Sequence, residues 1–325
     1  MFPTSTQLRF WTFSGTTELN KLRAEATHKY TQEHADLVAD PLCFLTADEE
    51  HVLCRHYECV LKSFCAHFQP PMPTTVVGTS LAFFKRFYLH HSVMNYHPRE
   101  IVYTCVYLAC KVEEFNVSIT QFVGNMSGDK EKATDIILSQ ELLLMQKLQY
   151  HLTIHNPYRP LEGLLIDIKA RCPDIEDAEA LRKGAEEFLD RSLNTDICLV
   201  FSPSQIALAA LLSSSTKLGI NLESYVTNTL LGAGDKDEET LMKTVEHVKR
   251  IRYMAKNQDP LSREYIKRLE DKLKVCRNPK HNPYSSQYKD RLVPEDEDDQ
   301  ERASKRRKMT EEERFDEAEV ADLFD

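Results

Sequence analysis

The sequence predicts an all-α protein: two tandem five-helix bundles, extra helices at the N- and C-terminal ends, and a disordered charged tail. Apolar residues recur with helical periodicity in almost every segment between turn-forming residues, which is the main signal for amphipathic helices. The two halves also resemble each other, and after residue 283 the composition becomes strongly charged. Glycine accounts for only 9 of the 325 residues, which is few for an enzyme whose backbone must approach phosphate.

The first bundle is expected within residues 46–155, after an N-terminal arm and an amphipathic helix in residues 1–45. Thr46 and Glu49 form a capping box, in which the Thr46 hydroxyl accepts from the Glu49 amide and the Glu49 side chain reaches back. This predicts a helix to about residue 68, where a proline-rich stretch follows. Further helices are predicted around residues 77–88, from Pro98 to about residue 112, near Thr120, and over about 132–149.

The second bundle is expected within residues 156–258, behind a short, stiff linker at residues 155–160 that contains two prolines. Ser202 and Gln205 form a second capping box, with Pro203 at the first helical position and Gly219 as a left-handed stop. Helices are therefore predicted over about 161–170, 178–194, 203–219 and 237–256, and residues 259–282 should hold a C-terminal helix over about 262–276.

The two bundles align when Pro98 is superposed on Pro203. The small-residue stretches 104–110 and 209–215 then coincide, and small residues let neighbouring helices approach closely. Each bundle should therefore be built round one small-residue central helix. In this alignment Lys111 falls on Thr216, so the second bundle does not need a charge at this position to fold.

Residues 283–325 form the predicted disordered tail, because they cannot bury enough apolar area to fold. From residue 290 the tail holds 15 acidic and 7 basic side chains, so it carries most of the net charge of −10. A basic cluster within it is either solvated charge or a nuclear localisation signal, and comprises Lys305, Arg306, Arg307 and Lys308. Thr310 precedes three glutamates, the context that acidophilic kinases prefer, and is a candidate phosphosite.

The nine cysteines predict a reduced, intracellular chain, because they form no C-x-x-C pair and lie inside helical patterns. No N-terminal stretch resembles a signal peptide and no apolar run is long enough to span a bilayer, so no membrane association is expected. Two H-x-x-C pairs could in principle bind zinc: His51 with Cys54, and His56 with Cys59. The pairs start five residues apart, which rotates them away from each other, so no metal or other cofactor is expected.

Lys111 and Glu141 are the two charges that stand out in the first bundle, because each interrupts a strongly apolar helix. Taken singly, each has an ordinary explanation. Lys111 is favoured near a helix C-terminus by the helix dipole and could pair with Glu114. Glu141 could belong to a polar stripe. Both lie on predicted central helices of one bundle only, which favours a role in binding another protein.

The motif around Lys111 resembles the signature of the cyclin box. Residues 109–115 read ACKVEEF, similar to the cyclin pattern L-A-x-K-x-E-E, and FFKRFY at 83–88 resembles the preceding Y-x-D-R-F segment. The resemblance covers about residues 46–256 and implies two cyclin folds. It also implies that the lysine and a glutamate on the fifth helix bind the αC helix of a cyclin-dependent kinase and its neighbouring loop. The kinase-binding residues would be Lys111, Glu141, Val112, Glu114, Met145, Tyr150 and Leu152.

Several longer stretches, among them residues 85–100 and 155–169, resemble the transcription-linked cyclin of the CDK-activating kinase. The implied partners are that kinase, a RING-finger assembly factor and the TFIIH core, in the nucleus and without direct contact to nucleic acid. Cell-cycle cyclins carry an apolar groove on their first helix that recruits R-x-L substrates. The matching residues here, 55–59, include Arg55 and Glu58, so R-x-L docking is not expected.

Three rival interpretations fit the sequence less well. A TFIIB-like transcription factor also has two cyclin folds, but it needs a basic DNA-facing surface and usually an N-terminal zinc ribbon, neither of which is found. An enzyme needs a catalytic constellation, and the chain has no G-x-x-x-x-G-K-S/T, G-x-G-x-x-G or G-x-S-x-G motif. A purely structural helical repeat does not explain why Lys111 and Glu141 occur in one repeat only.

Overall fold

The computed structural model describes residues 2–37, 41–173, 175, 177–230, 238–258, 260–282 and 285, and these residues form helices and no β-strand. The all-α prediction is confirmed. In chain order the α-helices are α1 (Thr6–Phe10), α2 (Thr16–Glu33), α3 (Ala47–His67), α4 (Thr74–His90), α5 (Pro98–Val112), α6 (Ile119–Gly124), α7 (Lys130–Lys147), α8 (Tyr158–Arg171), α9 (Ala180–Ser192), α10 (Ile197–Val200), α11 (Pro203–Leu218), α12 (Glu238–Lys256) and α13 (Arg263–Cys276). A π-helical segment, Tyr225–Leu230, precedes α12.

Helix α5 lies at the centre of the first bundle, where it packs against α3, α4 and α7. Its side chains Ile101, Cys105 and Ala109 are fully buried. The core around them is one continuous apolar cluster to which α3, α4, α6, α7 and the flanking helix α13 all contribute. Burial on several sides explains why α5 reads as apolar nearly all round.

Helix α11 has the same central position in the second bundle and packs against α8, α9 and α12. Its small residues allow α9 to approach so closely that a Cβ added at Gly184 would lie 2.4 Å from Ser214 Oγ. Ser214 Oγ donates to the carbonyl of Leu181, so the hydroxyl is satisfied within this contact. A small-residue central helix in each bundle therefore matches the internal repeat of the sequence.

Three short elements differ from the sequence-based expectations. The sequence predicts Pro160 in the linker, but α8 begins at Tyr158 and contains Pro160 in its first turn. The first four amides of a helix have no intrahelical partner, so a proline there removes no hydrogen bond. Neither α1 nor α10 was predicted, because five and four residues are too few to show a periodic pattern.

The terminal helices α2 and α13 pack on the first bundle rather than extending away from it. Tyr30 Oη of α2 donates to the carbonyl oxygen of Cys276 at the end of α13, over 2.7 Å. Lys272 of α13 binds the capping-box carboxylate of Glu49 at 2.7 Å. The two helices are thus joined to each other and to the start of α3.

The linker between the bundles is fastened to α4. Asn156 Nδ2 donates to Thr79 Oγ1 at 3.1 Å and to the Thr75 carbonyl at 3.3 Å. The amide can approach this closely because residue 78 is glycine: a Cβ there would lie 2.3 Å from Asn156 Oδ1, and the side chain would have to move. A second connection runs through α2, where Arg23 Nη2 binds Asp196 of the second bundle at 2.8 Å with both side chains mostly buried. The bundles are therefore held together by more than the chain between them.

Glu50 of α3 is a buried carboxyl that should make stability depend on pH. It accepts from the Val93 amide at 2.8 Å and from Ser92 Oγ at 3.0 Å, but burial dominates and raises the pKa of Glu50 to about 7. A raised folded-state pKa stabilises the folded chain below the unfolded value near 4.5, and this contribution is lost as pH rises through about 7. The unfolding free energy of the wild type, relative to Glu50→Gln, should fall by about 3 kcal/mol from about pH 4.5 to about pH 8.

Urea denaturation of both proteins across this pH range measures the difference. Glu50→Gln keeps an amide oxygen that can accept from Val93 and cannot titrate, so it isolates the carboxyl. A difference that stays constant from about pH 4.5 to about pH 8 would show that Glu50 is ionised in the folded chain throughout.

The described helices include none that is both long enough and apolar enough to cross a membrane. The predictions for the tail lie outside the described residues. They concern Lys305, Arg306, Arg307, Lys308 and Thr310.

Candidate partner-binding face

Lys111 and Glu141 meet where the C-terminal end of α5 packs against α7. Lys111 Nζ lies 2.9 Å from Glu141 Oε1 and donates to Glu141 Oε2 at 3.0 Å. It also lies 4.5 Å from the centroid of the Tyr107 ring, within the range of a cation–π contact. The interpretation that paired Lys111 with Glu114 is therefore wrong, since the partner within the chain is Glu141.

This ion pair is open to exchange with a group from another protein. The Lys111 side chain is 44% exposed and that of Glu141 is 15% exposed, so the ammonium group can be reached from solvent. An ion pair at this level of exposure contributes on the order of 0–1 kcal/mol to stability. The chain can thus exchange this contact for hydrogen bonds to a partner at little loss to its own fold.

The chain turns sharply after α7, in a conformation that residues other than glycine rarely adopt. Gln149 and Tyr150 are both left-handed, with φ of 55° and 57°. The Tyr150 amide donates to the Met145 carbonyl at 2.9 Å, which closes the turn at the end of the helix. Each left-handed residue costs on the order of 1 kcal/mol, so the surrounding contacts must hold this turn in place. The turn leaves the Tyr150 side chain 59% exposed.

Apolar side chains surround the ion pair and the turn. Val112, Met145 and Leu152 are half-buried and pack against the first core, which leaves part of each at the surface. Glu114 is exposed beyond the end of α5, in the left-handed region with φ of 56°. Leu142, next to Glu141, is exposed as well and was not singled out from the sequence. The run of three leucines at 142–144 conceals it, since the pattern alone does not show which of the three faces out.

The comparison with cell-cycle cyclins places Glu58 where those proteins have a surface groove. In the structure, Glu58 does not face the surface. It is buried and forms an ion pair with Lys85 of α4, 2.6 Å between Lys85 Nζ and Glu58 Oε2, with side-chain exposures of 4% and 2%. The neighbouring Tyr57 donates to Glu270 of α13 at 3.0 Å. This part of α3 is therefore occupied by an internal ion pair and by the C-terminal helix. These contacts, rather than the polarity of an exposed surface, explain why residues 55–59 form no apolar groove.

A peptide with an R-x-L motif should consequently not bind along residues 55–59. The acceptor that an arginine would need is taken up, because Glu58 is paired with Lys85 and Glu270 with Tyr57. Fluorescence anisotropy with a labelled R-x-L peptide should show no binding at micromolar concentration. Saturable binding that is lost on changing Tyr57 would mean that α13 leaves this face in solution.

The cysteines of the two H-x-x-C pairs lie in different environments. Cys54 is buried and Cys59 is exposed, as the five-residue offset between the two pairs predicted. Burial lowers the pKa of His51 to about 4. Within the part of the chain that the structure describes, there is no group of three or more His, Cys, Asp or Glu side chains placed to hold a metal ion.

Comparison with known proteins gives both bundles a family. Residues 60–153 match the family described as Cyclin, N-terminal domain, and residues 156–256 match Cyclin C-terminal domain. The chain is 43% identical over 282 residues to Cyclin-H of Xenopus laevis, covering 85% of this chain and 87% of that protein. It resembles a chain of the CAK complex from Chaetomium thermophilum bound to ATP-gamma-S, with a TM-score of 0.76, 25% identity, and 90% and 92% of the two chains covered. A chain of the yeast TFIIK complex matches with a TM-score of 0.61 and 26% identity, over 78% of this chain and 99% of that one.

Proposed function

Since this chain belongs to the cyclin family and is similar to cyclin H over most of its length, we propose that it binds and activates a cyclin-dependent kinase within a CDK-activating kinase complex. The members of this family are regulatory subunits. We propose accordingly that the chain has no catalytic activity of its own and acts through the kinase it holds.

The observation that supports this role most directly is the ion pair between Lys111 and Glu141. A lysine at the end of α5 and a glutamate on α7 meet at one accessible point, beside half-buried apolar side chains. On kinase binding, Lys111 would donate to kinase carbonyls and Glu141 would accept from kinase amides, while the apolar residues pack against the αC helix. Held inward, that helix lets the kinase form its own Lys–Glu pair and order its activation loop.

The remaining partners extend this proposal. A RING-finger assembly factor would complete a trimer with the kinase and this chain, and the trimer would act on other kinases and, within TFIIH, on the C-terminal domain of RNA polymerase II. The similarity to chains of the CAK and TFIIK complexes supports this placement.

The decisive experiment identifies the partner. The full chain, carrying an affinity tag, is recovered from nuclear extract and the kinase that accompanies it is identified by mass spectrometry. We expect a cyclin-dependent kinase in stoichiometric amount, whose activity toward an activation-loop peptide rises when the purified chain is added. A kinase that is equally active with and without the chain would contradict the proposal.

Nuclear localisation is proposed through the basic cluster in the tail. Replacing Lys305, Arg306, Arg307 and Lys308 with alanine removes four positive charges from a tract that is otherwise acidic. Fluorescence microscopy of the tagged variant should show reduced nuclear accumulation when the kinase is not co-expressed. Unchanged accumulation under that condition would remove the targeting role from this cluster and leave it as solvated charge.

A further inference from the structure

The N-terminal segment of the chain is attached to the turn that follows α7. Trp11 is buried, and its Nε1 donates to His151 Nδ1 at 3.0 Å. Arg86 of α4 lies over the Trp11 ring, 5.0 Å from Cζ to the ring centroid, and its Nη1 donates to the His151 carbonyl at 3.0 Å. Trp11 thus binds the His151 ring, and Arg86 of α4 binds the His151 backbone carbonyl.

Two further contacts continue this attachment. The side chain of Gln7 is buried, and its Oε1 accepts from the His155 amide at 2.7 Å. Phe10 stacks on the His151 ring at a centroid distance of 4.8 Å and an interplanar angle of 15°. The other end of the segment is fixed to the second bundle, where the Phe13 amide donates to the Leu199 carbonyl at 2.8 Å.

The position of these contacts matters because His151 lies between Tyr150 and Leu152, two residues of the proposed kinase-binding face. The preceding residues Gln149 and Tyr150 are left-handed without being glycine, so this turn needs external contacts to keep its shape. Trp11 and Arg86 supply those contacts from outside the turn. Although Phe10 stacks on His151, it remains 54% exposed, so it presents an aromatic surface at the turn that carries Tyr150.

We propose that the N-terminal segment is part of the kinase-binding apparatus: Trp11 and Arg86 are positioning residues that hold the turn at Gln149–Leu152, and Phe10 contacts the kinase directly beside Tyr150. This inference rests on the proposed function, because it assumes that the face around Tyr150 meets the kinase. It adds a contact residue from outside both cyclin folds. Aromatic side chains are enriched among the residues that dominate binding at protein interfaces, and a partly exposed, pre-stacked ring is ordered before binding.

Two substitutions separate the two roles. Phe10→Ser removes the exposed ring and leaves Trp11, Arg86 and their hydrogen bonds in place. Trp11→Phe keeps an aromatic ring in the buried site and deletes the N–H that donates to His151. The matched control is Tyr253→Ser on α12, which removes a ring of similar exposure from the second bundle.

The probe is the kinase catalytic subunit recovered with the full chain, and its affinity is measured by titration calorimetry. Phe10→Ser should weaken binding about ten-fold with no change in the melting temperature of the free chain, whereas Tyr253→Ser should bind as the wild type does. Trp11→Phe should speed amide hydrogen exchange at residues 149–152 and weaken binding about three-fold. A merely structural role for Trp11 would not raise exchange selectively in this turn.

Binding of Phe10→Ser within about two-fold of the wild type would overturn the inference, as would unchanged exchange at residues 149–152 in Trp11→Phe. Lys111→Ala is measured beside these variants to separate the two proposals. If Lys111→Ala weakens binding and Phe10→Ser does not, the kinase-binding function stands and the role of the N-terminal segment fails. If Lys111→Ala has no effect, the face itself has been misplaced, and the inference fails with it.

Discussion

Glu141→Ala and Lys111→Ala should each abolish most kinase activation while leaving the free chain folded. In the complex, each group would be desolvated and hydrogen-bonded to the kinase, and truncating one member of such a contact usually costs about 2–5 kcal/mol, or roughly 30-fold to several thousand-fold in affinity. In the free chain the pair is partly exposed, so its loss should lower the unfolding free energy by no more than about 1 kcal/mol. Thr216 at the equivalent position of the second bundle shows that the fold does not require a lysine there.

Circular dichroism melts of the free variants and activation assays with the kinase measure the two effects separately. The second bundle offers a control in Lys217→Ala, because Lys217 of α11 pairs with Glu187 of α9 at 3.7 Å and both side chains are about half exposed. This variant should match the wild type in both assays. Variants of Lys111 or Glu141 that unfold easily but still activate the kinase once folded would make the pair structural.

Lys85→Met should destabilise the free chain more than any change at the partner-binding face. It leaves the Glu58 carboxylate buried without its partner, and breaking one side of a buried ion pair typically costs about 3–5 kcal/mol. Replacing both members, as in Glu58→Leu with Lys85→Met, removes the stranded charge and should recover most of that loss. The two single variants, the double variant and the wild type form a double-mutant cycle, measured by urea denaturation.

An exposed pair provides the reference for this cycle. Lys21 of α2 pairs with Glu25 at 3.8 Å with both side chains largely in solvent, so Lys21→Met should change the unfolding free energy by less than about 0.5 kcal/mol. If Lys85→Met loses no more stability than Lys21→Met, Glu58 is hydrated or protonated, and the contact is not the buried ion pair that the structure indicates.

Local signals in the sequence were enough to predict most of the long helices. Both capping boxes are formed, with reciprocal hydrogen bonds between Thr46 and Glu49 and between Ser202 and Gln205. Gly219 ends α11 in the left-handed conformation, with φ of 71°. These features depend on residues three or four apart, which is the range over which a sequence pattern reports structure directly.

Features that depend on contacts between distant residues could not be predicted in the same way. The sequence indicated that Lys111 and Glu141 were unusual, but not that they pair with each other, because 30 residues separate them. The inward direction of Glu58 was missed because its partner, Lys85, lies on another helix. Trp11 and His151 are 140 residues apart. Helix α1, which Trp11 follows directly, is too short to leave a periodic signal in the sequence.

The contacts of the linker fix the position of the second bundle relative to the first. Asn156 holds the linker on α4, and Arg23 of α2 pairs with Asp196, so within the residues that the structure describes the two bundles are joined at two points besides the chain itself. A kinase seated on the first bundle would then meet the second at one distance and one angle. A third protein bound to the far side of the second bundle would therefore lie at a fixed distance from the active site of the kinase.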